Sequence, residues 1–242
     1  MELIKRIALV TGGSRGIGRA ISLALAAAGA SVAVNYRDRA KDAAAVVEAI
    51  HSKGQRGIAV PADVSMRQPV ADMLARIQSE LGPVDILVNN AGIAIRRGLG
   101  ELREEDFDRT IAVNLKSAFL CTEAVLPGMR ARRWGRILNI SSGAARGAGA
   151  VGVHYNASKA GLEGLTRGYA ARLATEGITV NAIAPSLIAT DMIEALGTNL
   201  ASRIPVGRLG TPEEVAETAV MVIANAYITG QTVELNGGLH FI

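Results

Sequence analysis

The sequence predicts an α/β protein: a doubly wound, seven-stranded parallel sheet with helices on both faces. Three observations carry that expectation. Seven short runs rich in Val and Ile alternate with longer amphipathic stretches along the 242 residues. Hydrophobic residues make up 49% of the chain and aromatics only 3%, so the interior must be built from Ala, Val, Ile and Leu. That composition suits strands buried on both faces. Finally, a glycine cluster falls where the first apolar run meets the first amphipathic stretch, the place at which such a fold turns tightly.

The elements follow in order. A strand over Ile7–Val10 leads through the glycines into a helix near 16–28. Strand Ser31–Asn35 precedes a helix near 39–53, for which Asp38 reads as the cap, the alternative being the acid that accepts from a ribose hydroxyl. Strands Arg56–Val60 and Asp85–Asn89 flank a helix near 66–81, and one long helix near 104–130 leads to strand Arg136–Ile140. A helix near 155–175 connects to strand Thr179–Ile183. The last helix, near 212–224, opens on Thr211-Pro212, a capping hydroxyl followed by a first-turn proline, and strand Gln231–Leu235 closes the pattern. Strand–helix–strand repetition demands right-handed crossovers and puts ligands at the carboxyl ends of the strands. Loops 142–152 and 186–204 are rich in small residues and follow strands, so both should overhang that edge. No linker, low-complexity tract or tandem repeat interrupts residues 1–242, which are expected to form a single domain.

Composition and charge exclude several functions. The net charge is +4, but Lys and Arg are scattered and few aromatics are present to stack bases, which argues against nucleic acid. The one cysteine, Cys121, lies in an apolar helical stretch; it excludes a disulfide framework and reads as a buried thiol. The start, Met1-Glu2-Leu3-Ile4-Lys5-Arg6, has no signal-peptide pattern, and no apolar run approaches the ~18 residues of a membrane span. A cytoplasmic protein is expected, with neither membrane nor metal as a partner.

Residues 11–18 read Thr11-Gly12-Gly13-Ser14-Arg15-Gly16-Ile17-Gly18. The spacing is G-x-x-x-G-x-G, from Gly12, Gly16 and Gly18. Glycines here let the backbone approach a pyrophosphate, and the following helix offers its free N–H groups and positive dipole end. At the end of the second strand, Tyr36 and Arg37 stand where a ribose-binding acid is usual. The Arg37 guanidinium, with Arg15 as a second, matches a 2′-phosphate and points to NADP(H). Asp63-Val64 ends the third strand; Asp63 either accepts from an adenine amino group or caps the next helix. Asn89-Asn90-Ala91-Gly92 ends the fourth strand with small residues against which a flat ring can lie.

Tyr155 and Lys159 lie at the start of a helix, four residues apart and so on one face. Ketone reduction needs a proton donor beside the carbonyl oxygen while hydride arrives at carbon. An adjacent ammonium is expected to lower the phenol pKa toward neutrality. Ser141-Ser142 follows the fifth strand on the same edge, where a hydroxyl can hydrogen-bond the carbonyl. Asn114 sits within the long helix, where a buried amide needs partners, and is positioned to hold a water linking Lys159 to solvent.

These residues together resemble the short-chain dehydrogenase/reductase family over nearly the whole chain. The resemblance implies a fold of Rossmann type, an oxidoreductase activity and the following roles. Tyr155 is the general acid/base and Ser142, thirteen residues before it, orients the carbonyl. Lys159 binds the nicotinamide ribose, and Asn114 anchors a water in a proton relay. Cofactor contacts are implied for Gly12, Ser14, Arg15, Gly16, Ile17, Gly18, Arg37, Asp63, Val64, Asn90, Ala91, Gly92, Tyr155, Lys159, Pro185, Ile188 and Thr190. A homotetramer is implied, built through the two long helices and the C-terminal strand. Within the family the chain is most similar to the 3-oxoacyl-acyl-carrier-protein reductases, in residues 11–18, in Ile178-Thr179-Val180-Asn181 and in Thr190-Asp191-Met192. This implies fatty acid biosynthesis, with a carrier-bound acyl substrate. Reduction of a free ketone, sugar or cyclic alcohol is the alternative. Arg132 and Arg133 resemble the basic patch that docks the acidic carrier. Two departures bear on the substrate: Pro185-Ser186 replaces the frequent Pro-Gly, and Glu176 stands where a basic residue is common.

Overall fold

The computed structural model describes residues 3–191 and 200–241. Residues 192–199 of the expected loop 186–204, including Met192, lie outside the described residues, as do Met1 and Glu2. The strands are β1 (Ile7–Val10), β2 (Ser31–Tyr36), β3 (Gly57–Pro61), β4 (Ile86–Asn89), β5 (Gly135–Ile140), β6 (Ile178–Pro185) and β7 (Thr232–Leu235). The helices are α1 (Gly16–Ala27), α2 (Ala40–His51), α3 (Arg67–Glu80), α4 (Glu104–Ile111), α5 (Ser117–Arg132), α6 (Val153–Leu173) and α7 (Pro212–Ala224). All seven strands join one parallel sheet in the order β3-β2-β1-β4-β5-β6-β7. This is the Rossmann-type arrangement expected.

The chain winds outward from β1 to β3, then returns to set β4 against the other side of β1. Ala8 pairs with Val32 on one side and with Ile86 on the other. The segments leaving β1 and β4 therefore diverge, and a crevice opens at their carboxyl ends.

Alternation of side chains along the strands sends residues to two cores. Ala8 and Val10 face Ile21 and Leu25 of α1, Ile50 of α2 and Val215 of α7. Ile7 and Leu9 face Met73 and Ile77 of α3, Leu120 and Met129 of α5, and Leu173 of α6. Both layers are almost wholly aliphatic, which is why so few aromatics suffice. No helix among the described residues is long and apolar enough to cross a membrane. Cys121 is buried, and its burial pushes the thiol up to about 12.

One local expectation fails and two hold. The long helix runs without interruption from Glu104 to Arg132, with a π-helical turn, Ala112–Lys116, between α4 and α5. A π turn accommodates an extra residue, which here rotates Asn114 inward. Asp38 does not cap α2. Arg39 occupies the cap position without a side-chain bond, and the Asp38 carboxylate instead accepts from Arg37 Nε at 2.7 Å. Thr211 does cap α7, through a reciprocal box with Glu214, with Pro212 in the first turn.

Candidate active site

The crevice is about 410 Å³, and its walls come from the carboxyl ends of β1 to β6. Its floor is the glycine turn. Gly12 (φ +61°) and Gly16 (φ +51°) take left-handed conformations. A Cβ on Gly18 would stand 2.4 Å from both Asn90 Nδ2 and the Gly12 carbonyl. The turn is fastened at both sides. Asn90 Nδ2 donates to the Thr11 and Gly12 carbonyls (2.9 and 3.1 Å), and Thr11 Oγ1 accepts from the amides of Asn90 and Ala91 (3.0 Å each). Asn35 Oδ1 accepts from the Gly12 amide at 3.2 Å. No side chain caps α1, so its first amides remain available to an anion at the crevice. A glycine cradle that any Cβ would fill, above an uncapped helix, fits the pyrophosphate of a dinucleotide.

Every residue expected to touch cofactor lines this crevice: Gly12, Ser14, Arg15, Gly16, Ile17 and Gly18 on the floor, Arg37, Asp63 and Val64 at one end, Asn90, Ala91 and Gly92 beyond. Pro185, Ile188 and Thr190 line the roof, and Ser142, Tyr155 and Lys159 the far end. Loops 142–152 and 186–191 both contribute, as expected. Arg15 and Arg37 are each paired with a carboxylate, Asp191 at 2.9 Å and Asp38 at 2.7 Å. Asp63 does not cap α3, whose cap position is Met66. Its Oδ1 accepts from the Ser65 amide and hydroxyl (2.9 and 2.6 Å). Burial pushes the Asp63 carboxyl up, but these bonds and the nearby charges of Arg37 and Arg109 hold it below its ordinary value.

At the far end α6 begins at Val153, which puts Tyr155 in its first turn and Lys159 one turn on. The Lys159 amine lies 5.7 Å from the Tyr155 ring centre and donates to the Ile140 carbonyl at 2.8 Å. Its enclosure pushes the ammonium down to about 8. The Tyr155 phenol is pushed up by burial, and the Ser142 hydroxyl opposes that. The expected tuning by Lys159 is thus not what sets the phenol in this state: burial dominates, and the lysine, itself desolvated, is spent on a carbonyl. Ser142 opens a short 3-10 turn, Gly143–Ala145, and accepts from the Ala144 amide at 3.2 Å. Ser141 turns inward, its hydroxyl 3.3 Å from both the Lys159 carbonyl and Glu163 Oε1. The two serines are thereby distinguished.

Asn114 is not on the crevice wall. Its amide is used by the Ile93 amide (2.8 Å), the Ile93 carbonyl (3.0 Å) and the Ser158 hydroxyl (3.2 Å). It stands behind Gly92, where a Cβ would approach Asn114 Oδ1 at 3.5 Å and Lys159 Nζ at 3.7 Å. Sequence reading missed the fasteners Thr11 and Asn35. Asn35 did leave a signal, since a polar amide in the run Val32-Ala33-Val34-Asn35 is costly unless it has partners. Arg132, Arg133 and Glu176 precede β5 and β6, and so lie at the sheet edge opposite the crevice. Arg132 donates to the Val84 carbonyl at 2.8 Å and stands 3.3 Å from Asp85. Arg133 donates to the Thr175 carbonyl at 2.9 Å. Glu176 accepts two bonds of 2.6 Å from Arg130, which offsets its charge.

Comparison with known proteins agrees with this architecture. The short chain dehydrogenase family model matches residues 6–201. The chain is 43% identical over 245 residues to the 3-oxoacyl-[acyl-carrier-protein] reductase FabG of Staphylococcus epidermidis, covering 98% of this chain and 100% of that protein. It is 45% identical to the acetoacetyl-CoA reductase of Rhizobium meliloti, with the same coverage of each. The crystal structure of a putative gluconate dehydrogenase from Agrobacterium tumefaciens superposes with a TM-score of 0.93 at 39% identity, covering 98% of this chain and 97% of that one. The chain belongs to the short chain dehydrogenase family. It is an oxidoreductase of the CH-OH/C=O group, and membership implies a nicotinamide cofactor.

Proposed function

We propose that this protein reduces the carbonyl of a 3-oxoacyl thioester with NADPH, in the manner of a 3-oxoacyl-acyl-carrier-protein reductase. The observation that carries the reading is the grouping of Ser142, Tyr155 and Lys159 at the far end of a crevice whose floor fits a dinucleotide. When bound, the nicotinamide supplies hydride to the carbonyl carbon. Tyr155 holds the proton that passes to the carbonyl oxygen, and burial, which favours the neutral phenol, keeps that proton in place at neutral pH. The Ser142 hydroxyl donates to the same oxygen and supports its developing charge. Lys159 holds the nicotinamide ribose. Asn114, behind Gly92, fixes the Ile93 backbone and serves as water anchor for the relay.

Two features favour a thioester over a sugar. Beside Tyr155 the wall is Ala144 and Val151, with Ile93 and Leu187 also on the crevice lining. Such a wall leaves a polyol's hydroxyls unpaired, at a cost of ~1–3 kcal/mol for each buried group. The FabG and acetoacetyl-CoA reductase relatives also both carry thioester substrates in their names. NADPH over NADH is supported by Arg15 and Arg37 at the ribose end, where Asp38 is paired with Arg37. Asp63, held ionised, is suited to accept from the adenine amino group. A single domain spanning residues 1–242, a cytoplasmic location and a homotetramer complete the reading. The last is supported by the apolar depression of Ile111, Leu115, Phe119, Gly161 and Leu165 between the two long helices.

The test is NADPH oxidation with acetoacetyl thioesters and a panel of free ketones. Turnover of thioesters is expected, and Tyr155→Phe should abolish most of it while cofactor affinity stays within about twofold, since the phenol's chemical role lies in the transition state. Activity on ketones with none on thioesters would overturn the substrate; full activity in Tyr155→Phe would overturn the proton donor.

A further inference from the structure

Beneath the loop that carries Ser142 lies a chain of charges that the chemistry above does not use. Tyr155, Lys159 and Glu163 follow one another at intervals of four on the same face of α6. Glu163 is 3% exposed. Its Oε1 accepts from the Ser141 hydroxyl at 3.3 Å, and its Oε2 accepts from Arg146 Nε at 3.0 Å. The other arm of Arg146 stands 3.4 Å from Glu234 Oε1 on β7. Glu234 Oε2 in turn lies 3.3 Å from His240 Nε2 in the C-terminal tail. Arg167 reaches Glu163 only at 4.0 Å. His240 is set against the catalytic loop: a Cβ on Gly143, the residue after Ser142, would stand 3.4 Å from its ring. Asn236 holds the tail by donating to the His240 carbonyl at 2.8 Å.

We propose that Arg146 is a positioning residue for Ser142, acting as the bridge of a charged strap that ties the catalytic loop to α6 and to β7. Arg146 is not among the residues that line the crevice. Among the described residues it is the one guanidinium placed between two enclosed carboxylates, and such a pair without it would repel. Asn156 of α6 fastens the backbone of the same loop, donating to the Ala144, Gly147 and Ala148 carbonyls (2.7, 2.7 and 3.0 Å), and Arg146 is the loop's charged tie to α6. From Ser142 to Arg146 the loop is a single short turn, closed by the Ala145 amide on the Ser142 carbonyl and the Arg146 amide on the Gly143 carbonyl. A shift of Arg146 is therefore passed to the serine hydroxyl. The network fixes where the hydroxyl sits, and Glu234 adjoins it from β7 at 3.4 Å.

The inference rests on Ser142 orienting the carbonyl, and the experiment separates the two. Full-length Arg146→Met, Arg146→Lys, Ser142→Ala and the Arg146→Met/Ser142→Ala double variant are compared in NADPH-driven reduction of an acetoacetyl thioester, with NADPH affinity measured alongside. Arg146→Met should lower kcat roughly ten- to a hundredfold, as a small misplacement at the reacting centre does, while NADPH affinity holds within about twofold. Arg146→Lys, which keeps the charge but cannot span both carboxylates, should recover part of the loss. The double variant should be no slower than Ser142→Ala, because a residue acting through the serine has nothing left to position. A folded Arg146→Met with full kcat, beside a slowed Ser142→Ala, overturns the strap alone. Losses that multiply in the double variant do the same. Full kcat in Ser142→Ala overturns the serine's role and the strap with it. Should Arg146→Met fail to fold, Glu234→Gln, which keeps shape and drops one charge, carries the same comparison with Ser142→Ala.

Discussion

Lys159 is enclosed by protein, and its amine has one neutral partner, the Ile140 carbonyl. An ammonium in that position costs stability, and the cost depends on pH. In the folded chain the group loses its proton near pH 8, whereas the ordinary value is 10.5. Between those two values the unfolded chain binds the extra proton and the folded chain does not, so unfolding free energy rises with pH across the window. Below pH 8 both states are charged and the penalty stands in full. The Tyr155 phenol works the other way, but only above its ordinary value of 10.0, where the unfolded chain ionises first. Chemical denaturation of the cofactor-free protein from pH 7 to 10 should therefore show the wild type gaining stability relative to Lys159→Met as pH climbs past 8. A difference that is flat with pH, or that shrinks, would sink this account of the amine. The spacing of Tyr155 and Lys159 was legible in the sequence because helical periodicity fixes it. The direction of their tuning was not, because desolvation depends on what the rest of the chain packs around them. Asn114 was legible as a buried amide that needs partners, but not as the neighbour of Ile93 and Ser158.

The glycine turn shows the same division for a whole element. Strand, turn and helix were readable from the Ile7–Gly18 stretch, and the fold's strands fall within a residue or two of the expected positions, because short aliphatic runs bounded by polar residues admit few alternatives. What escaped was geometry set by single side chains. The π turn at Ala112–Lys116 keeps a helical hydrophobic pattern, so periodicity alone cannot see it. The Asp38 cap failed because α2 begins at Ala40, which puts Arg39 at the cap position and Asp38 one residue before it. Gly18 yields a sharper expectation. A methyl there meets Asn90 Nδ2 and the Gly12 carbonyl at 2.4 Å, and it displaces an amide that fastens the turn to β4. Gly18→Ala should weaken NADPH binding at least tenfold, about 1.4 kcal/mol. Turnover at saturating cofactor should fall less, because Ser142 and Tyr155 stand on other elements. Fluorescence titration of the cofactor checks it, and an unchanged affinity would mean that the turn does not hold the pyrophosphate.

For the molecule as a whole, the crevice joins both wings of the sheet: β1, β2 and β3 supply the nucleotide end, β5, β6 and α6 the chemical end. A cofactor lying along it ties the two wings and binds only the folded chain, so its affinity is added to stability by mass action. The choice between NADPH and NADH can then be read without any substrate. Arg15 and Arg37 are already neutralised by Asp191 and Asp38, both more than half exposed. Exposed pairs of this kind contribute little, so exchanging a carboxylate for a 2′-phosphate costs little and gains bidentate contacts. If the resulting preference is tenfold, then at equal saturating concentrations NADPH stabilises the fold by about 1.4 kcal/mol more than NADH. For a chain of this length that corresponds to a melting temperature roughly 3–6 °C higher. The double variant Arg15→Ala/Arg37→Ala should erase the gap while leaving the NADH shift in place. Equal shifts from the two cofactors in the wild type would show that these guanidiniums do not read the 2′-phosphate. A gap that survives the double variant would place that recognition elsewhere in the crevice.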